Sequence, residues 1–243
     1  MWGQKQMSKS IDLYGDGIGK VDLVEYMGSD LTVVNSARVS FGKHKEVLDD
    51  ADKKLVDYLI RHRHTSVLEH NFVTFRFKVP LFVRSQHHRH RTWSYNEISR
   101  RYTEFNIEFY QPKEFRKQHK SNRQASTDDT FNPEFYSAGL DISHSGVSVV
   151  DGLFKDSLRV YNRLLESGVC KEQARMVLPQ AMYTEYYGSA NLSNILKFVD
   201  LRLHEGAQWE IQQVANAVLD IVTELYPETV GAYRKIRDEK HGS

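Results

Sequence analysis

The sequence has little cysteine: Cys170 is the single one among 243 residues. One thiol cannot form a disulfide framework or a cysteine-based metal site within one chain. Such a composition is typical of proteins kept in a reducing compartment. We therefore expect a cytoplasmic location.

Long apolar runs are missing, since no segment approaches the roughly 18 consecutive apolar residues of a membrane-spanning helix. The first ten residues, MWGQKQMSKS, also lack the apolar region of a signal peptide. We expect neither standard secretion nor a membrane span. An excess of one charge is missing as well, with a net charge of +1. Any binding of phosphate or nucleic acid must therefore come from local clusters of charge.

The remaining composition, 40% hydrophobic and 27% charged, is that of a globular chain. Its length suits one domain, 1–243. Helical spacing of apolar residues marks 45–63, 81–88, 150–165 and 211–225, and strand patterns mark 21–27, 73–79 and 101–110. Strands and helices do not alternate regularly. We predict an α+β fold with a mainly antiparallel sheet flanked by helices.

Two segments are predicted to lack regular structure. The run Gly15-Asp16-Gly17-Ile18-Gly19-Lys20 resembles a phosphate-binding loop only superficially, because it lacks the last glycine of GxGxxG and the GK[ST] of a P-loop. We predict a glycine turn there. Residues 112–146 are rich in Lys, Asn, Ser, Asp and Gly, which predicts a long, mobile loop.

Residues 86–102 form an unusual cluster with four arginines, three histidines, two serines, one asparagine and one glutamate, QHHRHRTWSYNEISRRY. Guanidinium groups bind phosphate oxygens through two parallel hydrogen bonds, and serine hydroxyls add further donors. Trp93 and Tyr95 are suited to stacking on a flat ring. The cluster predicts a site for a phosphorylated, ring-bearing small molecule.

Three other interpretations of this cluster stay open on composition alone. It fits a solvated surface, since charge-rich stretches usually lie on the exposed surface of a protein. It fits a metal site of His87, His88 and His90, although the neighbouring arginines repel a cation and the spacing matches no common motif. It also fits RNA or DNA binding, although the net charge of +1 argues against that function.

Longer motifs resolve the choice. Arg89-His90-Arg91, seven residues and Ser99 match the RHR-x7-S signature of flavin-dependent thymidylate synthases, and the flanking residues 94–97 and 101–102 resemble that family too. Further matching segments, in family order, are ARVSF (37–41), HTSVLEH (64–70), ARMVLP (174–179), LR (201–202) and AQWEI (207–211). The resemblance covers about residues 20 to 230. It implies the thymidylate synthase-complementing protein fold.

The resemblance implies roles for individual residues. FAD is expected to contact Ser40, His64, Ser66, Arg89, His90, Arg91, Glu97, Asn191, Ser193 and Lys197. The substrate dUMP is expected to contact Gln86, His87, His88, Arg89, Glu97, Ile98, Ser99, Arg100, Arg101, Arg175 and Arg202, mainly through its phosphate. Arg202 is expected to be catalytic, because a guanidinium can stabilise negative charge on the pyrimidine. Arg38 is interpreted as an ion-pair partner and stays outside the site.

Three positions depart from the family pattern. Many members carry arginine where this chain has Ser193, asparagine where it has Lys197, and histidine where it has Gly206. The lysine at 197 is hypothesised to compensate the charge that is missing at 193. The contacts at the adenosine end of FAD are the ones that these departures affect.

The implied reaction is the reductive methylation of dUMP to dTMP, with 5,10-methylenetetrahydrofolate as one-carbon donor, FAD as redox cofactor and NADPH as reductant. Cys170 stands where the family needs no cysteine, so we expect no catalytic thiol, although Lys171 and a helix start can lower a thiol pKa. The family also implies a homotetramer with shared active sites. No metal, nucleic-acid or membrane partner is expected. An RNA-binding module and a different flavoprotein oxidoreductase are the alternatives.

Overall fold

The computed structural model describes residues 9–99, 107–136 and 142–241. Its helices are α1 Asp30–Arg38, α2 Asp50–Arg61, α3 Leu81–His87, α4 Gly146–Glu166, α5 Lys171–Ala174, α6 Leu192–Arg202, α7 Trp209–Leu225 and α8 Pro227–His241. Its strands are β1 Ser10–Asp12, β2 Lys20–Met27, β3 Phe72–Pro80, β4 Ser94–Glu97, β5 Phe115–Gln118, β6 Ser126–Phe131, β7 Glu134–Tyr136, β8 Ser143–Ser145 and β9 Tyr183–Asn191. Short 3-10 turns lie at Val39–Phe41, Thr65–Leu68 and Arg175–Val177.

The main sheet has the strand order β1-β2-β3-β9-β4, and every neighbouring pair is antiparallel. The two central strands, β3 and β9, pair without interruption from Phe72 opposite Asn191 to Pro80 opposite Tyr183. Helices α6 and α7 pack on each other beside this sheet. The predicted α+β class with a mainly antiparallel sheet is confirmed.

The apolar residues whose alternation predicted β3 are also the residues that the structure buries. Val73, Phe75, Phe77 and Val79 are buried, whereas the intervening side chains are partly exposed. Apolar side chains that alternate along a strand all reach the same face of the sheet, so they enter one core. Helix α7 contributes the facing layer through its predicted apolar residues 211, 214, 215, 218 and 222, which are buried. Both elements contribute to one hydrophobic core.

The predicted glycine turn before β2 is confirmed. Gly15 and Gly17 both have positive φ, at 66° and 71°, which glycine adopts without the steric cost that a side chain brings. Asp16 accepts hydrogen bonds from the N–H groups of Ile18 and Gly19. The turn is closed by its own aspartate.

The prediction of a long loop over 112–146 is wrong in its described part. Two short hairpins lie there, β5 with β6 and β7 with β8. These strands are mostly exposed and polar, so they lack the apolar alternation by which a strand is usually recognised in a sequence. The predicted strand 101–110 lies outside the described residues up to 106. Beyond that point, Phe109 forms an isolated antiparallel bridge with Met182.

Candidate active site

The turn between α3 and β4, residues 88–93, presents the RHR motif. It is closed by the N–H of His90 donating to the carbonyl of His87 at 2.9 Å and the N–H of Trp93 donating to the carbonyl of His90 at 3.2 Å. The Trp93 ring is buried against Phe75 and Phe77 of β3. The turn is therefore fixed to the core by an aromatic anchor while its arginines face outwards.

Gly188 of β9 makes this anchor possible. A Cβ at this position would lie 2.8 Å from the Phe77 ring and 3.4 Å from the Trp93 ring. Distances below 3.0 Å require atoms to shift, so any larger residue would displace the aromatic layer under the turn. The missing side chain at Gly188 therefore leaves the space that the Phe77 and Trp93 rings occupy beneath the turn.

His87, one of the predicted substrate residues, is buried beneath the turn. Its side chain is 0% exposed, and its Nδ1 lies 2.8 Å from the Tyr186 hydroxyl. Burial, with the nearby His90, His88 and Arg202, lowers its pKa well below the usual value. A neutral imidazole enclosed by aromatic rings has no exposed surface, so the side chain does not support the predicted dUMP contact of His87, which stays a prediction. Helical geometry explains this burial, because α3 turns residue 87 towards the core.

Arg202 meets the same turn from the end of α6. Its Nε donates to His90 Nε2 at 3.1 Å, and its Nη2 donates to the Gln86 backbone carbonyl at 2.9 Å. Burial, and then the neighbouring Arg89, lower the Arg202 pKa, yet a guanidinium stays protonated at neutral pH. The structure therefore brings together Gln86, Arg89, His90 and Arg202, four predicted site residues from two distant segments.

His90 must be neutral to accept this hydrogen bond. Burial first, and then the Arg202 charge, lower the pKa of His90 to about 4. With Nε2 as acceptor, the proton of the neutral ring is on Nδ1. His90 thus orients Arg202 instead of competing with it as a second cation.

Glu97 and His88 line the same region on and beside β4. Glu97 Oε1 accepts hydrogen bonds from Arg84 Nε at 3.0 Å and from the Thr184 hydroxyl at 2.6 Å. His88 packs against Tyr95, with ring centroids 4.1 Å apart and ring planes tilted by 31°, and burial is the main cause of its lowered pKa. Both side chains are half-buried, so they can contribute one face to a ligand while the other face is held by the protein.

A pocket of about 380 Å³ lies beside the first half of α6. It unites three of the predicted FAD residues, His64, Ser193 and Lys197. Its walls are apolar residues from α2, the 3-10 turn Thr65–Leu68, α6 and α8, namely Leu59, Ile60, Leu68, Leu196 and Ile236. Residues 193 and 202 lie at the two ends of one short helix, about 13 Å apart at 1.5 Å per residue. Helix α6 therefore links this pocket to the turn with Arg202.

The polar groups of this pocket fit an anionic ligand with an apolar, ring-bearing part. Arg63, Lys197 and Arg237 outnumber Asp200 among its charged lining residues. Ser193 Oγ and Arg237 Nε are buried, and neither has a hydrogen-bond partner among the described residues. Buried polar atoms normally have partners, so these two are suited to bonds with a bound molecule.

The remaining predicted FAD residues do not line this pocket. Ser40 and Ser66 are exposed on separate turns, and the Ser40 hydroxyl donates to the Ala37 carbonyl. Asn191 caps α6, with its side-chain oxygen accepting the N–H of Asn194 at 2.9 Å. Arg91 is exposed on the α3–β4 turn. The monomer leaves these four residues open to solvent or at the edge of an element.

The other predicted dUMP residues are divided among three places. Ile98 and Ser99 directly follow β4, and the N–H of Ile98 donates to the Glu185 carbonyl at 2.9 Å. Arg100 and Arg101 lie outside the described residues. Arg175 is exposed in the 3-10 turn Arg175–Val177, which packs on α4.

For two residues outside the site, Arg38 and Cys170, the structure agrees with the interpretation from the sequence. Arg38 is paired with the buried Asp52 through Nη2 at 2.5 Å, which confirms it as an ion-pair partner. Cys170 is an exposed free thiol immediately before α5, as the pattern of a helix start predicted. In the described ranges 9–99, 107–136 and 142–241, no group of three His, Cys, Asp or Glu side chains is placed to hold a metal ion.

The sequence reasoning missed Arg63, Arg237 and Gln208. Arg63 directly precedes the HTSVLEH motif, and this position next to a family motif could have indicated it. Gln208 stands inside the AQWEI motif, where no role was assigned to it. Arg237 had no signal, because it reaches the pocket only through the packing of α8.

Comparisons with known proteins identify the family of this chain. The model of the thymidylate synthase complementing protein family matches residues 22–228. The chain belongs to this family. Its relatives include a flavin-dependent thymidylate synthase of Thermus thermophilus, 42% identical over 89% of this chain and 76% of that protein. Another, from Kosmotoga olearia, is 42% identical over 88% of this chain and 90% of that protein.

Solved structures give the same result for the family's fold. The UMP/dUMP methylase PolB from Streptomyces cacaoi, bound with 5-Br dUMP, superimposes with a TM-score of 0.76. It is 30% identical and the match covers 93% of this chain and 97% of that chain. Membership in the thymidylate synthase complementing family, predicted from the RHR motif, is therefore confirmed. The family fold is confirmed with it. The roles of individual residues stay predictions.

Proposed function

We propose that this chain methylates dUMP to dTMP, using 5,10-methylenetetrahydrofolate as one-carbon donor, FAD as cofactor and NADPH as reductant. The observation that carries the proposal is the junction of Arg202 with the α3–β4 turn, where its guanidinium bonds to His90 and to the Gln86 carbonyl. Two cations, Arg89 and Arg202, stand close enough for one to lower the pKa of the other. An anion between or beside them would relieve that repulsion.

Arg202 is proposed to act on the pyrimidine ring. Its orientation is set by two hydrogen bonds, which leave its Nη1 without a partner among the described residues. A fixed, half-buried cation stabilises developing negative charge without first reorienting. Glu97, held by Arg84 and Thr184, is proposed to border the ligands and to accept a hydrogen bond from a ribose hydroxyl.

FAD is proposed to bind at the pocket beside α6 and along the RHR turn. The pocket's cations and unpartnered Ser193 hydroxyl support contacts with the phosphates or the adenosine. Lys197 is one helical turn after Ser193 and lines the same pocket, which supports the hypothesis that its charge replaces the arginine that relatives carry at 193. When bound, the flavin supplies the redox chemistry between nicotinamide and the one-carbon unit.

A homotetramer with shared active sites is proposed from the surface of α4. Val149, Leu153 and Val160 lie on one side of this helix and are exposed, and Met176 beside Arg175 is 78% exposed. Apolar patches of this kind mark interaction sites. Contact between copies would cover them, and it would allow Arg175 to enter the active site of a neighbouring subunit. We also propose a cytoplasmic location, which suits a free, exposed Cys170.

Over the described ranges, none of the helices has the length and apolarity needed to cross a bilayer. Among the predicted ligand residues, His64, Ser193 and Lys197 line a pocket with apolar walls, and Gln86, Arg89 and His90 lie at the α3–β4 turn. This arrangement supports an enzyme over the RNA-binding alternative.

Purification followed by an absorption spectrum and a product assay tests the proposal. We expect a flavin spectrum, and dTMP formation that requires dUMP, methylenetetrahydrofolate and NADPH together. UMP is offered in parallel, because PolB is a UMP/dUMP methylase; we expect dUMP to be preferred. A colourless protein that makes no dTMP after addition of FAD contradicts the proposal. NADPH oxidation that is indifferent to dUMP would favour another flavoprotein oxidoreductase.

A further inference from the structure

A continuous chain of hydrogen bonds links the RHR region to the β5–β6 hairpin. Gln86 Nε2 donates to Gln208 Oε1 at 2.5 Å, and Gln208 Nε2 donates to Glu210 Oε2 at 2.9 Å. The other carboxylate oxygen, Glu210 Oε1, accepts from Arg116 Nη2 at 2.6 Å and from the Tyr110 hydroxyl at 3.0 Å. The chain therefore runs from a predicted substrate residue to a residue of the segment that was predicted to be a loop.

The chain has a direction because its last member can only accept. An ionised carboxylate has no hydrogen to donate, so Glu210 must face the amide nitrogen of Gln208. The Gln208 amide then turns its oxygen towards Gln86, and Gln86 in turn must offer its nitrogen. This leaves the Gln86 side-chain oxygen as an acceptor for which no described residue supplies a donor. The carboxylate thereby decides which atom Gln86 presents.

Arg116 stabilises the buried carboxylate of Glu210 in this arrangement. Glu210 is only 3% exposed, and an unpaired buried carboxylate is strongly disfavoured. The Arg116 guanidinium both pairs with Glu210 and lies 5.0 Å from the centroid of the Trp209 ring. The β5–β6 hairpin therefore supplies the positive charge that pairs with the buried Glu210 carboxylate.

We propose that Gln208, Glu210 and Arg116 are positioning residues that orient Gln86, so that its side-chain oxygen accepts a hydrogen bond from a donor group of the nucleotide substrate. A ribose hydroxyl or the pyrimidine N–H is such a donor, whereas a phosphate oxygen is not. The same residue accepts Arg202 at its backbone carbonyl. The inference rests on the proposed function and refines it, because the phosphate then has to be held by residues other than Gln86.

The first test replaces Gln208 by leucine, with Gln212→Leu as the matched control. Gln212 lies in the first turn of α7, four residues after the N-cap Gln208, and also makes two side-chain hydrogen bonds, to the carbonyls of His204 and Ala207, but it is not part of the hydrogen-bond chain. For Gln208→Leu we expect KM and Kd for dUMP to rise about tenfold, equivalent to about 1.4 kcal/mol. Flavin content should be unchanged. Gln212→Leu should leave dUMP affinity unchanged, and equal losses in both variants would overturn the inference.

A double-mutant cycle separates positioning from a general structural role. Gln86→Leu alone should weaken dUMP binding, and adding Gln208→Leu in that background should weaken it little further, because Gln208 acts through Gln86. Additive losses contradict the proposal. Arg116→Gln should weaken dUMP binding and lower the melting temperature, and it should lose its effect on dUMP binding, but not on melting, when Gln86 is leucine.

Calorimetric titration with dUMP distinguishes the two levels of the argument. If the unmodified protein binds dUMP and makes dTMP while Gln208→Leu matches it in both assays, the inference is wrong and the proposed function stands. If the unmodified protein neither binds dUMP nor makes dTMP, the proposed function is wrong and the inference falls with it.

Discussion

Arg202 reaches the α3–β4 turn through its Nε bond to His90 and its Nη2 bond to the Gln86 carbonyl. These bonds hold the guanidinium in one orientation before any ligand arrives, at the cost of placing it close to Arg89. A cation that is already oriented is worth more to a reaction than one that must be recruited from solvent. At the residue scale, the catalytic expectation for this arginine therefore depends on its two neighbours in the turn.

Replacement of Arg202 by alanine tests that expectation. We expect dTMP formation at saturating dUMP to fall by about 100- to 1,000-fold, the range seen when a single stabilising donor is removed from an active site. Flavin should stay bound. Arg159→Ala, which removes only an exposed pair with Asp156 on α4, serves as the control. Near-normal turnover of Arg202→Ala would exclude a catalytic role for this side chain.

His90 gives a pH dependence with a defined sign. Its pKa in the folded protein is about 4, below the ordinary value of about 6.5, so the unfolded chain binds the proton first as pH falls. The stability contributed by neutral His90 is therefore present above pH 6.5 and is lost between about pH 6.5 and 4. His90→Gln removes this titration. We expect urea unfolding free energies to fall less steeply over this interval in the variant; identical slopes would contradict the assignment.

At the scale of elements, the end of α2 shapes the pocket. The N–H of Arg63 donates to the Ile60 carbonyl and the N–H of His64 donates to the Leu59 carbonyl, the pattern that closes a helix with a left-handed residue. Arg63 is that residue, at φ 57°, where glycine is usual. An arginine is retained in a strained conformation while its side chain lines the pocket, which is typical of a functional constraint.

Arg63→Gly should separate stability from binding. Relief of the left-handed conformation should stabilise the protein by about 0.5–1 kcal/mol, raising Tm by about 1–4 °C. The increase in Tm on adding FAD should become smaller, because one pocket cation is lost. Differential scanning fluorimetry with and without FAD measures both effects. Lys54→Gly, in the exposed interior of α2, should instead lower Tm, and a similar decrease for Arg63→Gly would disprove the strain argument.

At the scale of the whole molecule, packing within a single chain does not account for the exposed apolar side of α4. The apolar period that predicted this helix includes residues that the monomer buries, such as Phe154 and Tyr161, and one that it leaves 60% exposed, Leu153. Amphipathic spacing indicates that a face is covered, but it does not say by what. A second copy of the chain is the occupant that the proposed tetramer supplies.

Leu153→Asp tests this assembly. A carboxylate on the apolar side of α4 should be disfavoured when it is buried between copies, so we expect the tetramer to dissociate to smaller species at micromolar concentration. Light scattering coupled to size-exclusion chromatography reports the mass. Lys155→Asp introduces the same carboxylate on a different side of the same helix, beside Asp151, and should leave the mass unchanged. An intact tetramer for Leu153→Asp would exclude this side of α4 from the interface.

The sequence by itself determined the elements whose apolar residues repeat with one period, because that period directly gives the buried face. This applies to β3 with Val73, Phe75, Phe77 and Val79, and to α7. It also determined the family, through motifs whose residues stand at fixed spacings. The strand pairs β5–β6 and β7–β8 could not be predicted, because their residues are mostly polar and exposed and show no apolar alternation. The pair β5–β6 also depends on a long-range contact, that of Arg116 with Glu210.

Only the tertiary structure decided which members of the basic cluster are buried and which are exposed. His87 and Arg89 are two residues apart, yet the core encloses one and solvent receives the other, since this depends on the rotation of α3 over the sheet. It likewise decided that Arg202 meets His90 and that Gln208 meets Gln86. Local periodicity records which face of an element is apolar, whereas contacts between distant segments arise only when those faces pack together.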